Sequence, residues 1–168
     1  KFKSRVYTPL NNSEKYTLVL MGRADFGLLG SYNKYKQTPF ETFHVGGDGM
    51  TGSYTYATET IGLRGYDNGA LTPYSDGRAY TRFSMELHFP FLLQPSSTIY
   101  GLAFVEGGNA WTSLENFNPF SLKRSAGVGV RIFLPMIGLM GIDWAYGFDK
   151  VQGEKGGGHF HFILGQEF

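Results

Sequence analysis

The residues best able to do chemistry lie at 62–69, Gly-Leu-Arg-Gly-Tyr-Asp-Asn-Gly, where a single arginine, Arg64, sits in a glycine-rich loop. A guanidinium is permanently charged and offers a planar fork of donors that pairs with carboxylates. Glu86 and Glu106 lie on polar faces of the neighbouring alternating segments. The spacing predicts that Arg64 turns inward and is clamped by one or both of them, stapling the loop 46–78. Other chemistry finds less support. Glu86 and Glu106 are the residue types of a general acid and base, but nothing in the sequence tunes either one or supplies a cleft. Residues 47–52 fit G-x-G-x-x-G, yet the residues that follow do not open a helix, so a nucleotide phosphate would find no helix N-terminus. His159 and His161 stand two apart on one strand face, too few for a metal site, and read as polar residues facing a wet interior. No G-x-S-x-G elbow occurs and cysteine is absent, so neither a serine-hydrolase motif nor a thiolate is available. No catalytic residue, cofactor or metal is expected.

The elements that must position Arg64 read as strands. Eight are predicted, at 2–8, 16–29, 40–45, 79–89, 97–110, 124–134, 137–148 and 159–168, with no helical period of useful length. Phe83, Met85, Leu87 and Phe89 alternate with Arg82, Ser84, Glu86 and His88. Val128, Val130 and Ile132 alternate with Gly127, Gly129 and Arg131, and Ile142, Trp144 and Tyr146 alternate with Gly141, Asp143 and Ala145. Large apolar side chains on one face and small or charged ones on the other suit a strand between lipid and a watery lumen. A soluble sandwich with one wet face is the alternative, but it seldom gathers Trp, Tyr and Phe at strand ends as a membrane girdle does.

Composition agrees. Glycine supplies 24 of 168 residues and aromatics 17%, while 15 basic against 14 acidic side chains leave no field to recruit nucleic acid. No apolar run approaches the length of a membrane-spanning helix, and residues 1–5 lack the apolar core of a signal peptide. The breaks at 46–78, 112–123 and 150–158 are long, whereas those at 92–96 and 135–136 are short. That alternation predicts extracellular loops at one end and periplasmic turns at the other. The chain opens inside an apparent strand, so a preceding region is expected.

Leu63-Arg64-Gly65-Tyr66 resembles the V-R-G-F/Y loop motif of the BamA family of outer-membrane assembly factors, and residues 39–47 are similar to the strand leading into that loop. Glu86 sits where the family has a lumen glutamate, and Glu106 where it usually has an aspartate. Residues 124–130 and the Pro135-Met136-Ile137-Gly138 turn continue the likeness, and residues 160–168 resemble the terminal targeting strand with its final aromatic, Phe168. The stretch between Gly49 and Leu63 is longer than the family pattern.

The resemblance implies an all-β antiparallel transmembrane barrel. This chain would supply the C-terminal eight of sixteen strands, with POTRA domains and the first strands upstream. It implies assembly and insertion of other barrels into the bacterial outer membrane without catalysis or cofactor. The partners implied are membrane lipids, unfolded outer-membrane protein clients and accessory lipoproteins. The last strand, with Phe160, Phe162, Leu164, Gly165 and Phe168, would form one side of a lateral seam, Gly165 acting as a kink point. A TamA-like or two-partner secretion pore, a small structural barrel and an outer-membrane enzyme stand as alternatives.

Overall fold

Strands with one apolar and one polar face bury backbone polar groups only by pairing side by side, and the chain does so in one antiparallel sheet. The computed structural model describes residues 1–11, 17–30, 41–49, 58–72, 77–94, 97–151 and 156–165. In chain order the strands are β1 (Phe2–Pro9), β2 (Val19–Leu28), β3 (Thr42–Val45), β4 (Thr58–Ile61), β5 (Ala79–Gln94), β6 (Ser97–Trp111), β7 (Lys123–Leu134), β8 (Gly138–Gly147) and β9 (Gly158–Leu164). Seven of them form the wall, in the order β1-β2-β5-β6-β7-β8-β9. The described sheet is open, with β1 and β9 at its edges.

The expected alternation is realised. Met85, Val105, Val128, Ile142 and Phe162 point outward and are exposed, whereas Glu86, Glu106, Arg131, Asp143 and His161 point inward and are buried. A continuous exposed apolar band of this kind is intolerable in water and fits lipid. Connections 95–96 and 135–137 are short and leave one end of the wall; 112–122 and 148–157 are long and leave the other. β2 and β5 are likewise joined at the long-loop end, and residues 41–49 and 58–72 of that connection lie against the inner face.

That connection corrects one strand assignment. Residues 42–45, expected as a wall strand, instead pair in parallel with residues 58–61 in a separate two-stranded sheet. The reason is length and burial. Four residues cannot cross an apolar band that needs about 9–11, and Thr42, Phe43 and Val45 are all buried, so neither face is offered to lipid. Phe43, Val45, Ile61, Leu63, Tyr66 and Leu71 form a small apolar core inside the loop, with Tyr80 of β5 packed edge-on to Phe43. Backbone bonds from Gly46 to the Ile61 carbonyl and from Leu71 to the Val45 carbonyl tie the loop to itself. Phe40, residues 50–57 and Phe168 lie outside the described residues.

Val128 is at the middle of β7 and points outward. Val128→Arg is expected to destabilise the protein in phospholipid vesicles by about 2–4 kcal/mol, read as a shift in the guanidinium unfolding midpoint. Tolerance of the arginine would contradict a lipid-facing β7.

Candidate functional site

The site is the concave face of the wall together with the loop folded against it. Strand alternation turns Glu86 of β5, Glu106 of β6 and Asp143 of β8 to the same interior, and pairing of β5 with β6 sets Ser84 opposite Glu106. The loop delivers Arg64 to these groups, leaving it only 2% exposed. Its Nη2 donates to Glu86 Oε1 and, at 2.6 Å, to Glu106 Oε1; its Nη1 donates to Asp143 Oδ2 at 2.9 Å. The guanidinium carbon lies 3.5 Å from the centroid of the Phe104 ring, in cation–π geometry. The backbone joins in, since Arg64 N–H donates to Glu106 Oε2 at 2.9 Å. Burial by itself would lower the pKa of Arg64, but the charges of Glu106, Glu86 and Asp143 override it and hold the guanidinium above its ordinary value.

The structure therefore brings Arg64 to both carboxylates singled out in the sequence and adds Asp143, which sequence reasoning placed on the inward face without giving it a role. Asp143 is fully buried and shared, for Arg131 of β7 donates to both of its oxygens, Nη2 to Oδ2 at 2.7 Å. Gly129, opposite Asp143 in the β7–β8 register, makes the room: a Cβ there would stand 1.8 Å from Asp143 Oδ1. The remaining wall contacts orient the carboxylates. Ser84 Oγ donates to Glu106 Oε1 at 3.0 Å, and His88 Nε2 lies 2.9 Å from Glu86 Oε2.

The rest of the motif is held as closely. Leu63 is fully buried in the loop core. Gly65 adopts φ +88°, a left-handed conformation that favours glycine, and a Cβ there would stand 2.8 Å from Ser125 Cβ. Tyr66 Oη donates to the Arg124 carbonyl at 2.6 Å, fastening the loop to β7. Gly62, just before the motif, accepts from Arg82 Nη1 at 2.6 Å, and Arg82 is itself aimed by Asp25, whose Oδ2 receives Arg82 Nη2 at 2.6 Å. This second anchor is legible in the sequence only as alternation, because Arg82 and Asp25 sit far apart along the chain.

On β9, Phe160, Phe162 and Leu164 point outward and are 69%, 62% and 63% exposed, while His159, His161 and Ile163 face inward. Gly165 follows with φ +72°. Its N–H donates to the Leu139 carbonyl at 2.7 Å, one step beyond the Met140–Leu164 pair of the β8–β9 ladder. The Arg64 cluster and the outward side chains of β9 lie on opposite faces of the sheet and are not brought together. Gly47 and Gly49, from the G-x-G-x-x-G match, have φ of +76° and +75° and serve a tight turn.

Residues 1–168 match the Omp85 superfamily domain across the whole chain. The chain belongs to the Omp85 superfamily. Membership identifies it as a bacterial outer-membrane β-barrel protein of a family devoted to insertion and translocation of proteins. Among solved structures it is similar to BamA from Haemophilus ducreyi lacking POTRA domains 1-3, with a TM-score of 0.61 and 20% identity over 95% of this chain. That likeness is one of fold, and this chain spans 33% of that BamA chain. No curated protein sequence matches. In this Omp85 domain the inward loop and the arginine cluster occupy the lumen side of the wall.

Removing the guanidinium leaves three carboxylates facing one another without their shared cation. Arg64→Ala is expected to cost about 3–5 kcal/mol and to expose residues 58–72 to protease in vesicle-reconstituted protein. Arg64→Lys retains the charge but not the planar fork, and is expected to fall between wild type and alanine. Wild-type protease resistance in Arg64→Ala would show that the cluster does not hold the loop.

Proposed function

We propose that this Omp85 domain is the C-terminal part of the barrel of a BamA-type assembly factor, which folds and inserts β-barrel proteins into the bacterial outer membrane. In this reading further wall strands and periplasmic POTRA domains come from upstream sequence. The clients are unfolded outer-membrane proteins, the solvent is membrane lipid, and accessory lipoproteins complete an assembly complex. The observation that carries the reading is Arg64, presented by the Leu63-Arg64-Gly65-Tyr66 loop and buried against Glu86, Glu106 and Asp143.

The mechanism follows from sheet-edge physics and uses no covalent chemistry. A strand paired on one side only presents unpaired backbone donors and acceptors, which template an incoming strand by β-augmentation. We assign that part to β9, with β8 on its paired side. Phe160, Phe162 and Leu164 keep the templated strand at the depth of the hydrocarbon, and the left-handed Gly165 lets the strand end bend away from the wall without strain. Phe168 is assigned to the same seam by its place in the sequence. The Arg64 cluster contributes a rigid lumen, so that motion is confined to the edge.

Reconstitution of the full-length protein in vesicles with a urea-unfolded outer-membrane client tests the reading. The client is expected to become folded and membrane-embedded faster than in empty vesicles, and a cysteine replacing Leu164 is expected to cross-link to the client's terminal strand. Delivery of the client into the vesicle interior would favour a translocation pore, and absence of any acceleration would overturn the insertase reading.

A further inference from the structure

Besides its pairing with β8, the edge strand β9 is held from within, and two inner contacts run to the arginine loop. Gly65 N–H donates to His161 Nε2 at 2.9 Å, with His161 6% exposed. His159 Nδ1 lies 3.2 Å from Asp67 Oδ1, and the two imidazoles are 6.3 Å apart. The contacts differ in chemistry. A backbone amide only donates, so the nitrogen facing Gly65 must carry a lone pair, which an imidazolium lacks. The His159–Asp67 pair has no such requirement, because a carboxylate accepts from either protonation state of the ring.

The amide of Gly65 is not free to turn away. Its φ of +88° belongs to the backbone path that carries the preceding residue, Arg64, to Glu86, Glu106 and Asp143. The contact therefore joins the terminal strand to the residue next to the guanidinium. The charged and titratable groups that act on the His161 ring are His159 of its own strand, Asp143 of β8, Glu106 of β6 and Asp48 of the loop. Two of these, Asp143 and Glu106, are bound by Arg64.

We propose that His161 is a positioning residue that couples the terminal strand to the arginine loop. With a neutral ring accepting from Gly65, the strand is held to the loop; loss of the acceptor, by substitution or by protonation, releases them from each other. The loop is thus informed of whether β9 is seated. The functional consequence rests on the assignment of β9 to the seam, but the coupling does not, and the test reads the loop rather than client insertion.

Hydrogen–deuterium exchange of peptides spanning residues 58–72 in the full-length, vesicle-reconstituted protein measures loop opening after correction for intrinsic exchange. Wild type is expected to open about tenfold more at pH 5 than at pH 8, the effect of one lost hydrogen bond. His161→Gln keeps an acceptor that does not titrate, so its loop is expected to stay protected at both pH values. His161→Phe is expected to exchange fast at both, with the heat-dependent gel mobility of the folded barrel confirming that it has folded; His159→Gln is expected to keep the wild-type profile. A wild-type loop indifferent to pH would overturn the proposal. So would a pH response that survives in His161→Gln, or one that vanishes in His159→Gln. A positive exchange result without client insertion would retain the coupling and remove the insertase reading.

Discussion

A guanidinium taken out of water is tolerable only where opposite charge is already in place, and that requirement organises the lumen of this protein. Arg64 reaches its buried position from a loop, and its three carboxylates come from three different strands, β5, β6 and β8. Each strand must therefore present the right face at the right height. A slip of one residue in any pairing would send a carboxylate toward lipid and leave the cation short of charge. The cluster thus specifies the register of β5, β6 and β8 relative to one another, as well as holding a loop.

The wall obeys a second requirement, set by the bilayer. Every backbone polar group at membrane depth must be paired, and every outward side chain must be apolar, so information is confined to alternate residues. The inner half of the alphabet is then free to carry charge. Asp25 with Arg82 and Arg23, Arg131 with Asp143, and His88 with Glu86 form a polar lining in which acids and bases face one another. The loop completes the arrangement with its own small apolar core, which lets a polar interior seat a folded element and not a disordered tail.

Much of this was legible in the sequence because a period of two is hard to imitate. The wall strands at 97–111, 123–134 and 138–147 lie within a residue of the expected segments and the one at 79–94 runs five residues past Phe89; in β5, β7 and β8 the signal is apolar side chains alternating with small or charged ones. Arg64, Glu86 and Glu106 were legible as chemistry for a different reason: charged residues on inward faces have few uses, and an arginine between glycines is positioned to reach them. Residues 42–45 misled because Phe43 and Val45 alternate with Thr42 and His44 just as a short wall strand would, and periodicity does not report what lies on the far face. The role of Asp143 was hidden in its surroundings. It stands between Gly141 and Ala145, and only the β7–β8 register, with Gly129 opposite, shows that the space belongs to its carboxylate. The backbone amide of Gly65 and its acceptor His161 lie beyond any sequence pattern, because one partner has no side chain.

The most direct measurement is the dipolar coupling between the Arg64 guanidinium nitrogens and side-chain carboxyl carbons, by solid-state magnetic resonance of the full-length protein in bilayers. The account predicts strong dephasing from three distinct carboxyl carbons, lost one at a time in Glu86→Gln, Glu106→Gln and Asp143→Asn. A guanidinium that shows no carboxyl coupling and exchanges its protons rapidly with water would contradict it.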